Sequence, residues 1–239
     1  MKLIVCKNYE EMSDAAAKIF AEVVKEKPNC VLGLATGSTP VGMYDRLAAM
    51  YEAGELDFSN ATTVNLDEYY PISPDNDQSY RYFMNEKLFN KINVDKANTY
   101  VPNGAAKDPE AACKEYEEIL SKVGQVDIQV LGIGQNGHIG FNEPDSALHV
   151  LTHVTGLTES TINANVRFFN SIDEVPTQAL TMGIGTILRA KKIIILANGE
   201  AKRDAVKAMM RGMLDCSCPA SMLNLHPDVT VICDEAALG

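Results

Sequence analysis

The polar residues at positions 134–144 have the types and the spacing that acid–base chemistry requires. The run is Gly-Gln-Asn-Gly-His-Ile-Gly-Phe-Asn-Glu-Pro. His138 carries the one side chain that titrates near neutral pH without any perturbation, and the carboxylate of Glu143 can orient or tune it. The amides of Asn136 and Asn142 lie close by in sequence. We predict a catalytic group around His138. The plainer alternative is a loop histidine satisfied by backbone hydrogen bonds.

The elements that must position this run are predicted from hydrophobic periodicity. The run directly follows the apolar stretch Val126–Leu131, which predicts a buried strand. Open α/β sheets bind ligands beyond the carboxyl ends of such strands. Elsewhere strand-like runs alternate with helix-period segments, so we expect a mostly parallel sheet with helices on both faces. The predicted strands are Lys2–Val5, Val31–Ala35, Thr62–Leu66, Ile128–Gly132, Ala179–Met182, Lys192–Leu196 and Val229–Cys233. The predicted helices are Tyr9–Lys25, Gly42–Ala53, Ser79–Phe89, Pro109–Lys122, Thr186–Ala190 and Glu200–Met213.

A second loop, Leu34–Pro40, has the features of an anion site. It follows a predicted strand and opens a helix, with Thr39 as the expected N-cap and Pro40 as the first helical residue. Gly37 allows a tight turn, Ser38 adds a hydroxyl, and free N–H groups at a helix start bind phosphate. The alternative is a plain strand-to-helix turn. The loop is not a Walker A motif, because the Gly-Lys-Ser/Thr ending is absent.

A bound phosphate also requires cations, and two residues could provide them. Arg167 is flanked by apolar residues, and Lys202 lies near a predicted helix start after the strand Lys192–Leu196. Each alone is typical of a surface cation. Together with the loop Thr36–Thr39 they would form a phosphate pocket.

Two adjacent acids, Asp67 and Glu68, end the predicted strand Thr62–Leu66. One of them could be a general base at the sheet edge, although such pairs are usually solvated turn residues. The segment Tyr70–Asp77 predicts a loop, and Asp145–Asn170 lacks periodicity and is a candidate lid over the site.

The run at positions 132–137 matches the Gly-x-Gly-x-x-Gly pattern of dinucleotide-binding folds, but its context does not. Such a motif continues into a helix, with an acidic residue about 20 positions later at a strand end. Here Pro144 follows soon after, and Glu159 lies in no predicted strand. The glycines, Gly137 among them, would instead let the backbone approach a small ligand closely.

Composition narrows the class of protein further. The net charge of −11 disfavours nucleic acid as a partner, and no apolar stretch approaches the roughly 20 residues that span a bilayer. The first residues predict a strand and not a signal peptide. Six scattered cysteines indicate reduced cytosolic thiols, and Cys216-Ser-Cys218 lacks the further ligands of a metal site. We find no linker and expect one domain, 1–239.

Five segments together closely resemble the glucosamine-6-phosphate deaminase family. The phosphate loop is shared by several sugar-phosphate enzymes, whereas Gly-His-Ile-Gly-Phe-Asn-Glu-Pro with Leu-Asp-Glu-Tyr is far more specific. The resemblance implies a modified Rossmann-like, doubly wound fold, a cytoplasmic role in amino-sugar catabolism, and neither metal nor organic cofactor. The segments are Leu34–Pro40, Asn65–Tyr69, Gly134–Pro144, Asn165–Phe169 and Val231–Glu235.

The resemblance also implies a reaction and residue roles. Glucosamine 6-phosphate and water would become fructose 6-phosphate and ammonium. His138, oriented by Glu143, would open the sugar ring, and Asp67 would move a proton from C2 to C1, leaving Glu68 as the weaker candidate base. The loop Thr36–Thr39 would bind the phosphate together with Arg167 and Lys202.

Two departures from the family pattern bear on these implications. Many members carry Asp where this chain has Asn136, and an amide cannot ionise there. Longer members are hexamers activated by an N-acetylated sugar phosphate through basic residues after the catalytic segment and a C-terminal extension. Residues 146–153 contain no Lys or Arg, and the chain ends at Gly239. We therefore expect an unregulated enzyme and a monomer.

Two other functions fit parts of the pattern. A phosphogluconolactonase would share the fold and the phosphate loop but would lack the base at Asp67. A sugar-phosphate-sensing domain of a transcription regulator would have this fold too. It would normally adjoin a DNA-binding segment, which is not evident here.

Overall fold

The computed structural model of the protein describes residues 1–157 and 175–239. Its strands are β1 (Lys2–Cys6), β2 (Val31–Leu34), β3 (Thr62–Asn65), β4 (Asp67–Tyr70), β5 (Thr99–Tyr100), β6 (Ile128–Gly132), β7 (His153–Gly156), β8 (Gln178–Thr181), β9 (Ile193–Ala197) and β10 (Val229–Asp234). Its α-helices are α1 (Tyr9–Glu26), α2 (Val41–Glu52), α3 (Tyr80–Met84), α4 (Pro109–Val123), α5 (Ile184–Ile187), α6 (Arg203–Met209) and α7 (Glu235–Leu238). Short 3-10 turns cover Lys96–Asn98, Glu200–Lys202 and Pro219–Leu225, and a π turn over Asn85–Phe89 extends α3.

The main sheet has seven strands in the order β1-β10-β9-β6-β2-β3-β5, and all neighbours are parallel. From β2 the chain moves outward through β3 to β5, and from β6 it moves the other way through β9 to β10. Since crossovers between parallel strands are right-handed, the two directions place the connecting helices on opposite faces. This confirms the doubly wound fold. The direction changes between the neighbours β2 and β6, which is where such sheets form a crevice.

The burial pattern explains why these segments form a central sheet. All five residues of β9 are buried, as are the first four of β6, as expected for parallel strands covered on both faces. Helix α1 buries a residue at every fourth position, which forms the apolar stripe of an amphipathic helix. These residues are Met12, Ala16, Phe20 and Val24. Asn8 caps this helix by accepting the Glu11 N–H at 2.9 Å.

A second sheet of three antiparallel strands, β4-β8-β7, was only partly predicted. Asp67 and Glu68 do not end β3 at a loop but begin β4, where Asp67 pairs with Thr181 of β8. The first part of the predicted lid also belongs to this sheet, because β7 pairs with β8. Residues 158–170 of that predicted lid lie outside the described residues.

Several predicted helix ends are wrong. Helix α2 starts at Val41 after Pro40 in the N-cap position, and Thr39 makes no capping hydrogen bond. Its hydroxyl lies 3.3 Å from Asn198 Oδ1 instead, so a tertiary contact replaces the cap. The helix expected at Thr186–Ala190 is instead the short α5, which ends at Ile187, and the segment Glu200–Met213 is divided into a 3-10 turn and the short α6.

The structure also shows the state of the cysteines and the character of the helices. All six cysteines are free and five of them are buried; Cys216 is partly exposed. Within residues 1–157 and 175–239 no helix is both long enough and apolar enough to cross a membrane.

Candidate active site

A cleft of about 650 Å³ opens at the carboxyl ends of β2, β3 and β6, where the strand order changes direction. It brings together most of the residues predicted from sequence. The described residues that line it are Ala35, Thr36, Gly37, Ser38, Thr39, Leu66, Asp67, Tyr80, Gly132, Ile133, Gly134, Gln135, Asn136, His138, Gly140, Phe141, Glu143 and Lys202.

The loop after β6 is held by its own backbone. The Gly134 N–H donates to the His138 carbonyl at 2.9 Å, and the Gly137 N–H donates to the Gly134 carbonyl at 3.0 Å. A Cβ at Gly134 would lie 2.4 Å from the His138 ring, so this position must lack a side chain. Gly137 has φ +82° and faces Cys218. It does not line the cleft, and it serves the turn of the loop.

His138, Glu143 and Asn136 form one connected group on this loop. His138 Nδ1 lies 3.0 Å from Glu143 Oε1, and Asn136 Nδ2 donates to Glu143 Oε2 at 2.6 Å. Burial alone would raise the pKa of Glu143, but the His138 imidazole and the Asn136 amide lower it below the usual value. Glu143 is therefore ionised and can hold the imidazole with its other ring nitrogen directed away. This is the arrangement of an oriented acid–base histidine.

Asn142, the other amide of the run, has a structural role. Its Nδ2 donates to the carbonyls of Ile139 and Met182, both at 2.9 Å. It is buried and does not line the cleft. Its amide fixes the end of the loop after β6 to Met182, which directly follows β8.

Asp67 lies at the base of the cleft and is only 5% exposed. Burial, together with the neighbouring Glu68 carboxylate, raises its pKa to about 8. The catalytic loop passes close to it: a Cβ at Gly140 would lie 3.4 Å from Asp67 Oδ2. Asp67 is thus a buried, high-pKa carboxyl group beside the His138 loop, as a general base over one face of a substrate would be.

Residues 36–39, in the loop after β2, line the cleft. Gly37 has φ +90°, a conformation that favours glycine. The Tyr9 hydroxyl donates to the Ser38 carbonyl at 2.9 Å and accepts the Gly42 N–H at 2.8 Å. The Tyr44 hydroxyl donates to the Ala35 carbonyl at 2.6 Å. Both ends of the loop are therefore fixed, as an anion cradle requires.

Lys202 reaches the same cleft from the turn after β9. The turn begins at Gly199, whose N–H donates to both carboxylate oxygens of Asp234 at 3.0 Å. Burial lowers the pKa of Lys202, and a bound anion would restore it. Arg167, the other predicted cation, lies outside the described residues.

Two aromatic residues of the cleft were missed by sequence reasoning. Tyr80 and Phe141 are stacked, with ring centroids 6.1 Å apart and an interplanar angle of 5°. An aromatic residue at a helix start or after a glycine is typical of core packing, so nothing in the local sequence marked them. Only the fold brings α3 against the catalytic loop.

These features define a doubly wound α/β protein whose switch-point cleft is lined by the titratable side chains of Asp67, His138 and Glu143 and by the loop after β2. Residues 7–232 match the family described as glucosamine-6-phosphate isomerases/6-phosphogluconolactonase. The chain belongs to this family.

Relatives and solved structures agree with that assignment. A glucosamine-6-phosphate deaminase of Clostridium perfringens (strain 13 / Type A) is 60% identical over 237 residues, covering 99% of this chain and 98% of the relative. One of Thermoanaerobacter pseudethanolicus is 57% identical over 237 residues, covering 99% and 94%. A structure of a monomeric glucosamine-6-phosphate deaminase is 49% identical, with a TM-score of 0.95 and full coverage of both chains. The 6-phosphogluconolactonase from Thermotoga maritima is 20% identical, with a TM-score of 0.75 and 98% coverage of both chains, and shares the fold alone.

We predict that Asn136→Asp moves the acid limb of the kcat/KM profile to higher pH. A second carboxylate beside His138 and Glu143 would stabilise the imidazolium, so a higher pH is needed to free the base. Steady-state rates from pH 5.5 to 9.5 measure the limb, with Asn136→Ala as the uncharged control. A limb at the wild-type position in Asn136→Asp would contradict the prediction.

We predict that Asp67→Asn stabilises the fold while it removes activity. The pKa of Asp67 is about 8 in the folded protein against an ordinary 3.8. The folded state therefore binds the proton more tightly, and its stability falls as pH rises from about 4 to 8. Because Asn does not ionise, the gain in urea midpoint should be larger at pH 8 than at pH 5. A gain that does not depend on pH would show that Asp67 is not the titrating group.

Proposed function

We propose that the protein converts glucosamine 6-phosphate and water into fructose 6-phosphate and ammonium. The observation that carries this proposal is the shared cleft. It combines the Asp67 carboxyl group, the His138 group and an anion loop, which a phosphorylated amino sugar would need together. Relatives that are about 60% identical over nearly the whole chain and carry the deaminase name support the same reaction.

Ring opening is the first step. The pyranose must lose the bond between C1 and its ring oxygen, so a proton leaves the anomeric hydroxyl and another arrives at the ring oxygen. His138 carries out this transfer through the nitrogen that faces away from Glu143. The ion pair with Glu143 compensates the positive charge that the imidazole gains, and the Asn136 amide keeps the carboxylate in place.

Isomerisation follows at the Asp67 side of the cleft. Asp67 removes the hydrogen from C2 as a proton and returns it to C1, while one N–H proton moves to the C1 oxygen. The product is an iminium at C2 with a hydroxymethyl group at C1. Asp67 must be ionised for this step, and the positively charged amino group of the substrate favours that form despite the burial of the carboxyl group.

Deamination completes the reaction. Water adds to the iminium carbon, the C–N bond breaks, and ammonium leaves a ketone at C2. The 6-phosphate does not react. We assign it to the loop Thr36–Thr39 and Lys202, with Arg167 as a further predicted cation. Binding energy from this remote group orients C1 and C2 between Asp67 and His138.

The lactonase alternative is less well supported. Hydrolysis of a lactone requires neither carbon acid chemistry nor a buried base such as Asp67. The lactonase structures share the fold at about 20% identity, whereas the deaminase relatives match this chain at 60%.

We further infer that the protein acts as a single-domain monomer in the cytoplasm and requires no metal or organic cofactor. The similar structure of a monomeric deaminase, which aligns over its whole length, supports the monomer. Six free thiols are consistent with a reducing compartment.

A direct assay tests the reaction. Wild-type protein given glucosamine 6-phosphate should release ammonium and fructose 6-phosphate in equal amounts, and Asp67→Asn should reduce both by about a thousandfold or more, because proton transfer at carbon needs the base. Wild-type activity on 6-phosphogluconolactone, without ammonium release from the amino sugar, would instead favour the lactonase.

Lys202→Gln should raise KM for glucosamine 6-phosphate about 10- to 100-fold, because it removes a half-buried cation from the proposed phosphate site. The inhibition constant of inorganic phosphate should rise in parallel. The matched control is Lys192→Gln, which precedes the same strand β9 at its opposite end and pairs with Asp228. Equal phosphate inhibition of wild type and Lys202→Gln would remove Lys202 from the site.

A further inference from the structure

Glu68 is a buried carboxylate that the proposed reaction does not use. It is 2% exposed and accepts three backbone N–H groups. Its Oε1 accepts from Tyr69 at 2.9 Å and from Tyr80 at 2.8 Å, and its Oε2 accepts from Arg81 at 2.9 Å. Both oxygens are therefore directed at the peptide groups of its own strand and of the first turn of α3, which makes Glu68 unsuitable as a second base.

These bonds fix the place where α3 begins. Ser79 caps the helix by accepting the Tyr82 N–H at 3.0 Å. The Arg81 guanidinium donates to the hydroxyl and the carbonyl of Thr99, both at 2.7 Å. Because both oxygens of the buried Glu68 carboxylate accept backbone N–H groups, Glu68 holds the first turn of α3 in place.

The residue that α3 presents to the cleft is Tyr80. Its ring stacks on Phe141 of the catalytic loop and packs against Tyr69, with centroids 4.6 Å apart. Its hydroxyl interacts with the side chains of Thr36 and Tyr69. Burial raises the pKa of the Tyr80 hydroxyl well above its usual value, and the nearby Asp67 carboxyl group raises it further. Tyr80 thus contacts Thr36 and Phe141 and lies near Asp67.

We propose that Glu68 is a positioning residue that acts on the reaction through Tyr80, and that Tyr80 contacts the carbon chain of the substrate between the reacting carbons and the phosphate. The proposal rests on the proposed function, because it assigns parts of the same cleft. It explains why an acid that cannot reach the substrate is buried directly beside the base.

A double-mutant cycle tests the route through Tyr80. Tyr80→Leu and Glu68→Gln should each lower kcat/KM for glucosamine 6-phosphate by about 10- to 100-fold, as expected when a positioning contact is displaced. If Glu68 acts through Tyr80, the double variant should be no worse than the poorer single variant. Rates are compared at pH values above the acid limb of each variant. If the fold loss of kcat/KM in the double variant equals the product of the two single losses, the proposal is overturned.

The pH profile measures the direct charge effect of Glu68 on Asp67 separately from its effect on kcat/KM through Tyr80. Glu68→Gln removes a negative charge beside Asp67 and should move the acid limb of kcat/KM to lower pH, whereas Tyr80→Phe should leave it in place. Among residues 1–157 and 175–239, the hydroxyls of Tyr44, Tyr80 and Tyr116, from three different helices, also lie near enough to Asp67 to interact with it electrostatically. Since Tyr80→Phe removes one of these neutral groups without changing charge, it is the matched control.

Stability controls keep the result interpretable. Glu117 is another carboxylate with several bonds: it accepts from the Thr152 hydroxyl and the Thr186 hydroxyl, at 2.7 and 2.6 Å. Glu117→Gln should lower the thermal midpoint without changing kcat/KM. If Glu68→Gln does not fold, Tyr80→Leu decides alone, because an unchanged kcat/KM in that variant overturns the proposal.

The proposed reaction and the positioning role of Glu68 can be disproved separately. Absence of ammonium release by the wild type would overturn the proposed function. The crystal structure of Glu68→Gln would still test positioning, since we expect Tyr80 to leave its stack with Phe141. A Tyr80 ring that keeps this stack would overturn the role of Glu68.

Discussion

The antiparallel register between β4 and β8 decides which of two adjacent carboxyl groups enters the cleft. Successive side chains of a strand point to opposite faces, so pairing Asp67 with Thr181 directs Asp67 to the cleft and Glu68 to α3. A slip of one residue would exchange the two faces. The position of Asp67, the stacking of Tyr80 on Phe141 and the start of α3 all depend on this register.

The cleft has opposite electrical character at its two ends. Asp67 lies at one end, where burial and the neighbouring Glu68 carboxyl group raise its pKa to about 8. At the other end, residues 36–39 and Lys202 line the same space. An amino sugar phosphate carries a cation near C2 and an anion at C6, so its charges match both ends. This match supports the proposed substrate despite the net charge of −11.

Local sequence determined most of the sheet and much of the site. The main strands are continuous apolar runs, and the glycine-rich loops follow them directly, so both could be predicted from periodicity. Strands β4 and β7 were missed because each has only four residues, with charged or polar side chains and no apolar alternation. Their pairing with β8 is a long-range contact that no local pattern encodes. Tyr80 and Phe141 were missed for the same reason, because their meeting depends on how α3 packs against the catalytic loop.

Burying two carboxyl groups side by side costs stability, and the fold tolerates this cost because the site lies at the edge of a rigid scaffold. Strands β6 and β9 are almost wholly buried, and the loops that extend from the sheet are tied by their own backbone and by hydroxyls such as those of Tyr9 and Tyr44. The unfavourable interaction between the two buried carboxyl groups is therefore confined to a few atoms, because the surrounding loops are held in place. A solvated Asp67 would be a weaker carbon base, because water would stabilise its ionised form and lower its proton affinity. The electrostatic cost of Asp67 and the proton affinity that the proposed reaction requires of it are thus two consequences of the same burial.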